Sequence, residues 1–322
     1  MNTTNVELPT FKDVRQADRH VQQDIHRTPI LTSRLVNQRC DAHLFFKCEN
    51  FQRVGAFKIR GALNAIRLLS DEEASRGVIT HSSGNHAQAL TLAARLKDIK
   101  ATVIMPENAP PNKIEAVRNY GADLHFCAPT QQAREEKTQE LIDQTGATFI
   151  PSYDHPHIIA GQGTAGYELF KEIGDIDQIL VPVGGGGLLS GVALAVKHIR
   201  PEINVIGVEP ALTNDAYRSF NEGKIVQPER TDTIADGLRT SLGNYTFEII
   251  RNKVDDIVTV KEKSIVEAMR LIWERMKIIV EPSGAVPLAG ILEDQIDVTD
   301  ERVVLIVSGG NADLHRLPWN AD

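Results

Sequence analysis

Between residues 78 and 151 the chain alternates short apolar runs with amphipathic stretches of helical period, and no other feature constrains its fold as strongly. Strands are predicted at 78–81, 101–105, 124–127 and 148–151, with helices at 86–96, 112–120 and 131–144 between them. A strand, a helix and a further strand in succession close as a parallel pair with the helix across the sheet. The segment therefore predicts an open parallel sheet covered by helices. Apolar runs at 179–183, 205–208, 257–260 and 303–307 predict the strands of a second, larger sheet. Ahead of both lie a helix over 11–25, ended by Pro29, a short strand or turn at 30–35, a strand at 44–48, and a helix from Lys58 to about Leu69. Residues 158–173 read as a helix interrupted by Gly161-Gln162-Gly163. The expected organisation is a larger domain of residues 1–76 and 152–322 and a smaller, mobile one of 77–151.

Ligands of open parallel sheets collect at the carboxyl ends of strands, where segments 82–85, 184–187, 209–215 and 308–310 all fall. Gly184, Gly185, Gly186 and Gly187 lie between a strand and the helical pattern 188–199. Such a turn lets backbone N–H groups surround an anion at the positive end of a helix dipole. In FQRVGAFKIRGALN (51–64), Lys58 sits between Phe57 and Ile59 and two residues before Arg60. Apolar walls and a nearby cation lower a lysine pKa and make the amine a nucleophile, and a helix N-terminus adds to the effect. Taken singly, Lys58 reads as a solvated helix lysine, and four glycines serve a dinucleotide or a plain turn nearly as well.

Together, FKIRGA (57–62), SSGNHAQ (82–88) and GGGGLLSG (184–191) resemble the pyridoxal-phosphate enzymes of the tryptophan-synthase-like fold, and within them the serine/threonine dehydratases and serine racemases. The resemblance runs from about residue 25 to 311. It implies an α/β chain of two domains, each an open, mostly parallel sheet covered by helices, with pyridoxal 5'-phosphate in the cleft between them. Lys58 is then the amine that holds the cofactor aldehyde as a Schiff base and, once displaced by substrate, takes the Cα proton. Phe57 walls the ring, Gly184 to Gly187 cradle the phosphate, Asn85 hydrogen-bonds the phenolic oxygen, and Ser308 stands beside the pyridine nitrogen. A hydroxyl there, unlike an aspartate, leaves the ring a weak electron sink, which suits elimination and proton return over transamination.

Ser82, Ser83, Gly84, Asn85 and His86 are the implied contacts of the substrate carboxylate, with Arg134 as a clamp from the smaller domain. Ser83 also matches the serine that, in racemases, returns a proton to the face of Cα opposite the lysine. Its other reading is a turn serine capping a helix. Glu209, the carbonyl of Thr213, and Asp215 match the divalent-metal ligands of serine racemases, for Mg²⁺, Ca²⁺ or Mn²⁺; without the resemblance they read as a solvated acidic loop. His155 and His157 beside Asp154 read as parts of a turn.

The activity implied is loss of the Cα proton and β-hydroxyl from L-serine or L-threonine, then hydrolysis to an oxo acid and ammonia, with serine racemisation as a branch. NFQRVGAFKIRGA (50–62) and YDHPHIIAGQGT (153–164) resemble threo-3-hydroxyaspartate ammonia-lyase equally well. A non-catalytic amino-acid-binding protein on the same fold is the reading from another class. A nicotinamide dehydrogenase lacks its G-x-G-x-x-G with a following acidic residue.

The formal charge of −8 disfavours nucleic acid as a partner and leaves an anionic cofactor to local N–H groups. No apolar run approaches about 20 residues and the N-terminus lacks a signal-peptide core, so no membrane partner and a cytoplasmic location are expected. Cys40, Cys48 and Cys127 fit neither a disulfide framework nor a zinc site. The expected partners are a small β-hydroxy amino acid and a second copy of the chain in a homodimer. About a dozen residues follow Asn311, so the C-terminal regulatory domain of biosynthetic threonine dehydratases is expected to be absent.

Overall fold

A computed structural model of the chain describes residues 7–319. The polar residues 1–6, part of the segment read above as lacking a signal core, and residues 320–322 lie outside it. The N-terminal part runs α1 (Phe11–Val21), β1 (Ile30–Leu31), α2 (Arg34–Cys40), β2 (His43–Cys48), α3 (Lys58–Arg67) and α4 (Asp71–Arg76). Next come β3 (Val78–His81), α5 (Asn85–Arg95), β4 (Ala101–Pro106), α6 (Pro111–Tyr120), β5 (Asp123–Cys127), α7 (Gln131–Thr145) and β6 (Thr148–Phe149). The chain then continues through α8 (Pro156–Leu169), β7 (Gln178–Pro182), α9 (Gly187–Ile199), β8 (Asn204–Pro210), α10 (Asp215–Glu222) and α11 (Asn244–Lys253). It ends with β9 (Asp256–Val260), α12 (Glu262–Met276), α13 (Pro282–Leu292) and β10 (Arg302–Val307).

The alternation of residues 78–151 folds as read, into a parallel four-stranded sheet of order β5-β4-β3-β6. The other sheet has six strands in the order β1-β2-β10-β7-β8-β9, parallel except for β1 against β2. Its faces explain the unbroken apolar runs: Val303, Leu305 and Val307 belong to one buried cluster and Val304 and Ile306 to the other. A strand covered on both sides has no polar face to alternate with. β2 joins this sheet beside the last strand, with Cys48 opposite Val307, so the segments leaving β2 and β10 start side by side.

Two expectations need correction. α1 ends at Val21, short of residue 25. The GQG of residues 161–163 does not interrupt α8, which runs unbroken from Pro156 to Leu169. Glycine weakens an isolated helix by about 1 kcal/mol, but here it admits two neighbouring helices. A Cβ on Gly161 would stand 2.5 Å from the Cα of Gly61 and 2.6 Å from the carbonyl oxygen of Arg60, in α3. One on Gly163 would stand 2.7 Å from the carbonyl oxygen of Gly191, in α9. The three backbones touch where side chains are missing.

Beneath this contact lies a buried charge network. The fully buried Arg60 donates through Nε to Glu49 Oε2 (2.7 Å) and through Nη2 to Glu49 Oε1 (2.9 Å). It also donates to Glu168, from Nη1 to Oε1 (2.8 Å) and from Nη2 to Oε2 (2.9 Å). Lys47 Nζ donates to Glu168 Oε2 (2.7 Å) and to the carbonyl of Thr28 (2.9 Å). Burial pushes the Glu168 carboxyl upward, yet Arg60 and Lys47 outweigh it and hold Glu168 below its ordinary value. No helix among the described residues is long and apolar enough to cross a membrane.

Removing one member of such a network strands the others as uncompensated buried charges. Arg60→Met is therefore expected to lower the unfolding free energy by about 3–5 kcal/mol, read from the shift of the urea midpoint at pH 7. A change below about 1 kcal/mol, the ordinary range for exposed ion pairs, would contradict the structural weight given to the network.

Candidate active site

Lys58 begins α3, and the two residues before it are pinned to the end of β10. The Phe57 N–H donates to the carbonyl of Ser308 (3.1 Å), and Ala56 forms a bridge with Gly309. This brings Lys58 and Ser308 together across more than two hundred residues of chain. The Lys58 ammonium donates to the carbonyl of Ser152 (2.7 Å) and lies 5.1 Å from the centre of the Phe57 ring. Burial lowers its pKa to about 8, with the Glu281 carboxylate pulling the other way. Arg60, read from sequence as the nearby activating cation, is not one, since its guanidinium is committed to Glu49 and Glu168.

The glycine turn occupies the step from β7 into α9. Gly186 has φ +85°, a conformation strained for any residue with a side chain. A Cβ on Gly184 would stand 2.7 Å from the Cα of Leu238, and one on Gly185 would strike the ring of Tyr153 at 2.5 Å. Among the described residues, no protein group accepts from the N–H of Gly184, Gly185 or Gly186. Buried N–H groups without partners, at a helix N-terminus, suit the phosphate of a cofactor. Tyr153 directly follows Ser152, so the Lys58 amine and the turn share one wall.

The segment after β3 forms the opposite wall. Ser82 Oγ accepts from the Gly84 N–H (3.3 Å), and α5 begins at Asn85 without a side-chain cap. Ser83 is half-buried and does not cap the helix, contrary to its simpler sequence reading. The His86 ring turns into the four-stranded unit, where Nε2 meets the carbonyl of Ile150 at 3.1 Å; burial lowers its pKa to about 3, so it is neutral at pH 7. Asn85 crosses the cleft: Nδ2 donates to Glu281 Oε1 (2.9 Å), and Oδ1 accepts from Asn311 Nδ2 (2.8 Å). Lys113 of α6 and Asp236 form an ion pair across the same gap. Arg134 is half-exposed on α7, its Nε donating to the carbonyl of Thr130 (3.3 Å) and its charge felt by His81, which precedes Ser82. It stands beside the cleft wall, and no ion pair engages it among the described residues.

At the end of β8, Glu209 accepts from the N–H groups of Ala216 (2.9 Å) and Tyr217 (2.8 Å), in the first turn of α10. Asp215 is fully buried, and neither of its carboxylate oxygens has a partner among the described residues; the Thr213 hydroxyl lacks one as well. Burial, and then Asp215, raise Glu209 well above its ordinary value, and burial raises Asp215 to about 6. No group of three or more His, Cys, Asp or Glu side chains is placed to hold a metal ion among the described residues. Two buried carboxylates, one of them with both oxygens unpartnered, still suit a hard cation that takes carbonyls and waters for its remaining ligands. The charge of Asp215 also reaches Tyr153, which connects this pair to the cleft.

The sequence profile of the pyridoxal-phosphate dependent enzymes matches residues 21–309. The chain belongs to that family. The enzyme is 48% identical over 310 residues to the L-threo-3-hydroxyaspartate ammonia-lyase of Saccharomyces cerevisiae, covering 96% of this chain and 95% of that protein. It is 47% identical over 313 residues to the serine racemase of Schizosaccharomyces pombe, covering 97% of each. Maize serine racemase superposes with a TM-score of 0.94 at 43% identity, over 96% of this chain and 95% of that one. The two helix-covered sheets are those of the fold type II pyridoxal-phosphate enzymes.

Sequence reasoning passed over Tyr153, Glu281 and Asn311 in this enzyme. Glu281 precedes Pro-Ser-Gly and reads as a helix start, while Asn311 was visible only as the end of SGGN.

Asp215 supplies a pH test. Its folded pKa is raised, so the fold prefers the protonated acid and loses stability as pH climbs from the unfolded value near 3.8 through about 6. In chelator, Asp215→Asn is expected to be more stable than wild type by about 1–3 kcal/mol at pH 8, with the gap closing near pH 4. Thermal melts across pH measure this, and a variant less stable than wild type at pH 8 contradicts it.

Proposed function

We propose that this enzyme is an ammonia-lyase of small β-hydroxy amino acids, acting on L-serine and L-threonine, with serine racemisation as a branch. The observation that carries the reading is a lysine of lowered pKa, Lys58, whose charge is felt by His86, just beyond a loop whose Ser83 hydroxyl is not used to cap the helix behind it. When bound, pyridoxal phosphate supplies the electron sink that makes the substrate Cα proton acidic. Gly184 to Gly187 would hold its phosphate through their N–H groups, Asn85 its phenolic oxygen, Ser308 its ring nitrogen and Phe57 a face of its ring. A pKa near 8 lets Lys58 hold or give up a proton close to neutral pH, which suits a base at Cα. The N–H groups of residues 82–86 would receive the substrate carboxylate, with Ser83 placed to deliver a proton from the opposite side.

We further propose that Glu209, the Thr213 carbonyl and Asp215 hold Mg²⁺, Ca²⁺ or Mn²⁺. Neutralising two buried carboxylates would firm the wall that includes Tyr153. A second substrate reading, L-threo-3-hydroxyaspartate, draws on the similarity to the yeast ammonia-lyase and on Arg134, which is in no ion pair among the described residues and whose Nη groups would meet a second carboxylate. A mobile smaller domain of residues 77–151 would bring that side chain inward. A homodimer is supported by the exposed Phe51 and Ile279, which the Asn50–Ile279 hydrogen bond (3.0 Å) holds on one face. Three free cysteines suit a reducing cytoplasm.

Lys58→Ala is expected to fold and to lose deamination by a factor of about 10³ or more, since it removes both base and tether. Retained turnover overturns the central assignment. Ser83→Ala separates the two reactions: L-serine deamination should persist while D-serine formation is lost, because one base cannot serve both faces of a rigidly held Cα. Equal loss of both would make Ser83 a carboxylate contact. Comparing kcat/KM for L-serine, L-threonine and L-threo-3-hydroxyaspartate decides between the substrate readings. For the metal, chelated protein should gain thermal stability with added Mg²⁺ or Ca²⁺, and Asp215→Asn should not.

A further inference from the structure

Glu281 is a buried carboxylate in the cleft that the proposed chemistry leaves without a task. It stands just before α13, and its N–H donates to the carbonyl of Gly309 (3.1 Å), which fixes it to the strand end that carries Ser308. Its carboxylate lies against the same backbone: a Cβ on Gly309 would stand 2.5 Å from Oε1. That oxygen takes the hydrogen bond from Asn85 Nδ2 at 2.9 Å. The other end of the Asn85 amide accepts from Asn311 Nδ2 (2.8 Å), and Asn311 Nδ2 is itself held by the carbonyl of Val54 (2.7 Å).

An asparagine amide turned by half a rotation keeps its shape and reverses its polarity. Here the two ends meet partners of opposite kind. A carboxylate only accepts and the Asn311 NH₂ only donates, so a single orientation of Asn85 satisfies both. The second N–H of Asn85 Nδ2 is left for a ligand. Without Glu281 only the Asn311 contact opposes the flip, which would present a carbonyl oxygen where an N–H is needed.

We infer that Glu281 is a positioning residue for the cofactor: it fixes the Asn85 amide so that an N–H, rather than a carbonyl oxygen, faces the phenolic oxygen of the ring. The inference rests on the proposed role of Asn85. The groups facing Glu281 fit a residue kept for position and not for the strength of the fold. Burial first, then Asp236, raise its pKa to about 7, while Asn85 and Lys113 oppose the rise; its charge also reaches the Lys58 amine. An acid with a raised folded pKa withdraws stability as pH climbs from its ordinary value near 4.5 through 7. Removing it at pH 8 should leave the cofactor-free fold no weaker, whereas a purely structural carboxylate would be missed.

The test uses Glu281→Leu and Glu281→Gln, alone and combined with Asn85→Ala, with three readouts that need no substrate. These are the melting temperature of cofactor-free protein at pH 8, the dissociation constant of pyridoxal phosphate, and the visible absorption of the loaded protein. Glu281→Leu is expected to weaken cofactor binding by about 10- to 100-fold, the loss of one charge-assisted hydrogen bond, with an altered visible band and no drop in melting temperature. Glu281→Gln retains an acceptor and should recover most of the affinity. In the Asn85→Ala background the leucine change should cost less than about twofold, because Glu281 acts through an amide that is gone. Any one of the following overturns the inference: unchanged affinity and spectrum in Glu281→Leu, an undiminished effect without Asn85, or a fall in melting temperature that parallels the lost affinity. If serine, threonine and hydroxyaspartate all fail as substrates, the proposed function fails and these readouts still decide the role of Glu281.

Discussion

Arg60 is the residue on which the geometry of the cleft depends. It is buried with two carboxylates and a lysine that come from separate segments: Lys47 from β2, Glu49 from the turn after it, and Glu168 from the end of α8. Successive helix residues are about 100° apart around the axis, so positions two apart point about 200° apart. With Arg60 locked inward, Lys58 must face the other way, toward the cleft. The same geometry explains why Arg60 does not lower the lysine pKa: the arginine orients the amine, and desolvation sets its basicity. A buried ion network is a poor source of stability compared with apolar packing. Its merit here is directional, since it holds one helix rotation against the alternatives.

The close approach of α3, α8 and α9 completes that constraint. α3 starts at Lys58 and α9 starts at the glycine turn, so the contacts of Gly161 with Gly61 and of Gly163 with Gly191 set the offset between the amine and that turn. Larger residues at Gly161 or Gly191 would widen that offset by moving backbone, because the nearest atoms they would meet are backbone atoms of the neighbouring helix. The glycines of α8 are thus part of the machinery of the cleft although none of them lines it.

How much of this was legible in the sequence follows from the range of each interaction. The strands and helices of residues 78–151 were readable because their signal is local periodicity, and the strand-end loops because parallel sheets gather ligands there. Residues 1–76 were expected in the larger domain, but the place of β2 beside β10 in its sheet was not readable, since the two strands lie some 250 residues apart and a short apolar run carries no mark of its partner. GQG was misread because glycine's local effect is to break helices, and its tertiary effect, admitting another backbone, needs the neighbour to be known. Arg60 was misassigned for a related reason: proximity in sequence was taken for proximity of charge, when helix geometry separates the two groups. Glu281 and Asn311 carry no local signal, because what distinguishes them is burial against residues contributed from across the cleft.

The distribution of unbalanced charge separates scaffold from site. Glu49 and Glu168 are buried with cations in reach and four hydrogen bonds from a single guanidinium. Glu209, Asp215 and Glu281 are buried as well, yet their pKa values are raised, because the surrounding protein does not repay the loss of water. All three stand at the end of a strand or the start of a helix along the cleft. Such acids oppose folding at neutral pH, and a protein built for stability alone would replace them with apolar residues. Their common location ties that penalty to ligands: under the proposed readings a cation would relieve Glu209 and Asp215, and orienting Asn85 would give Glu281 its use. The larger sheet and its buried ion network supply the stability that lets the cleft hold these three acids in waiting.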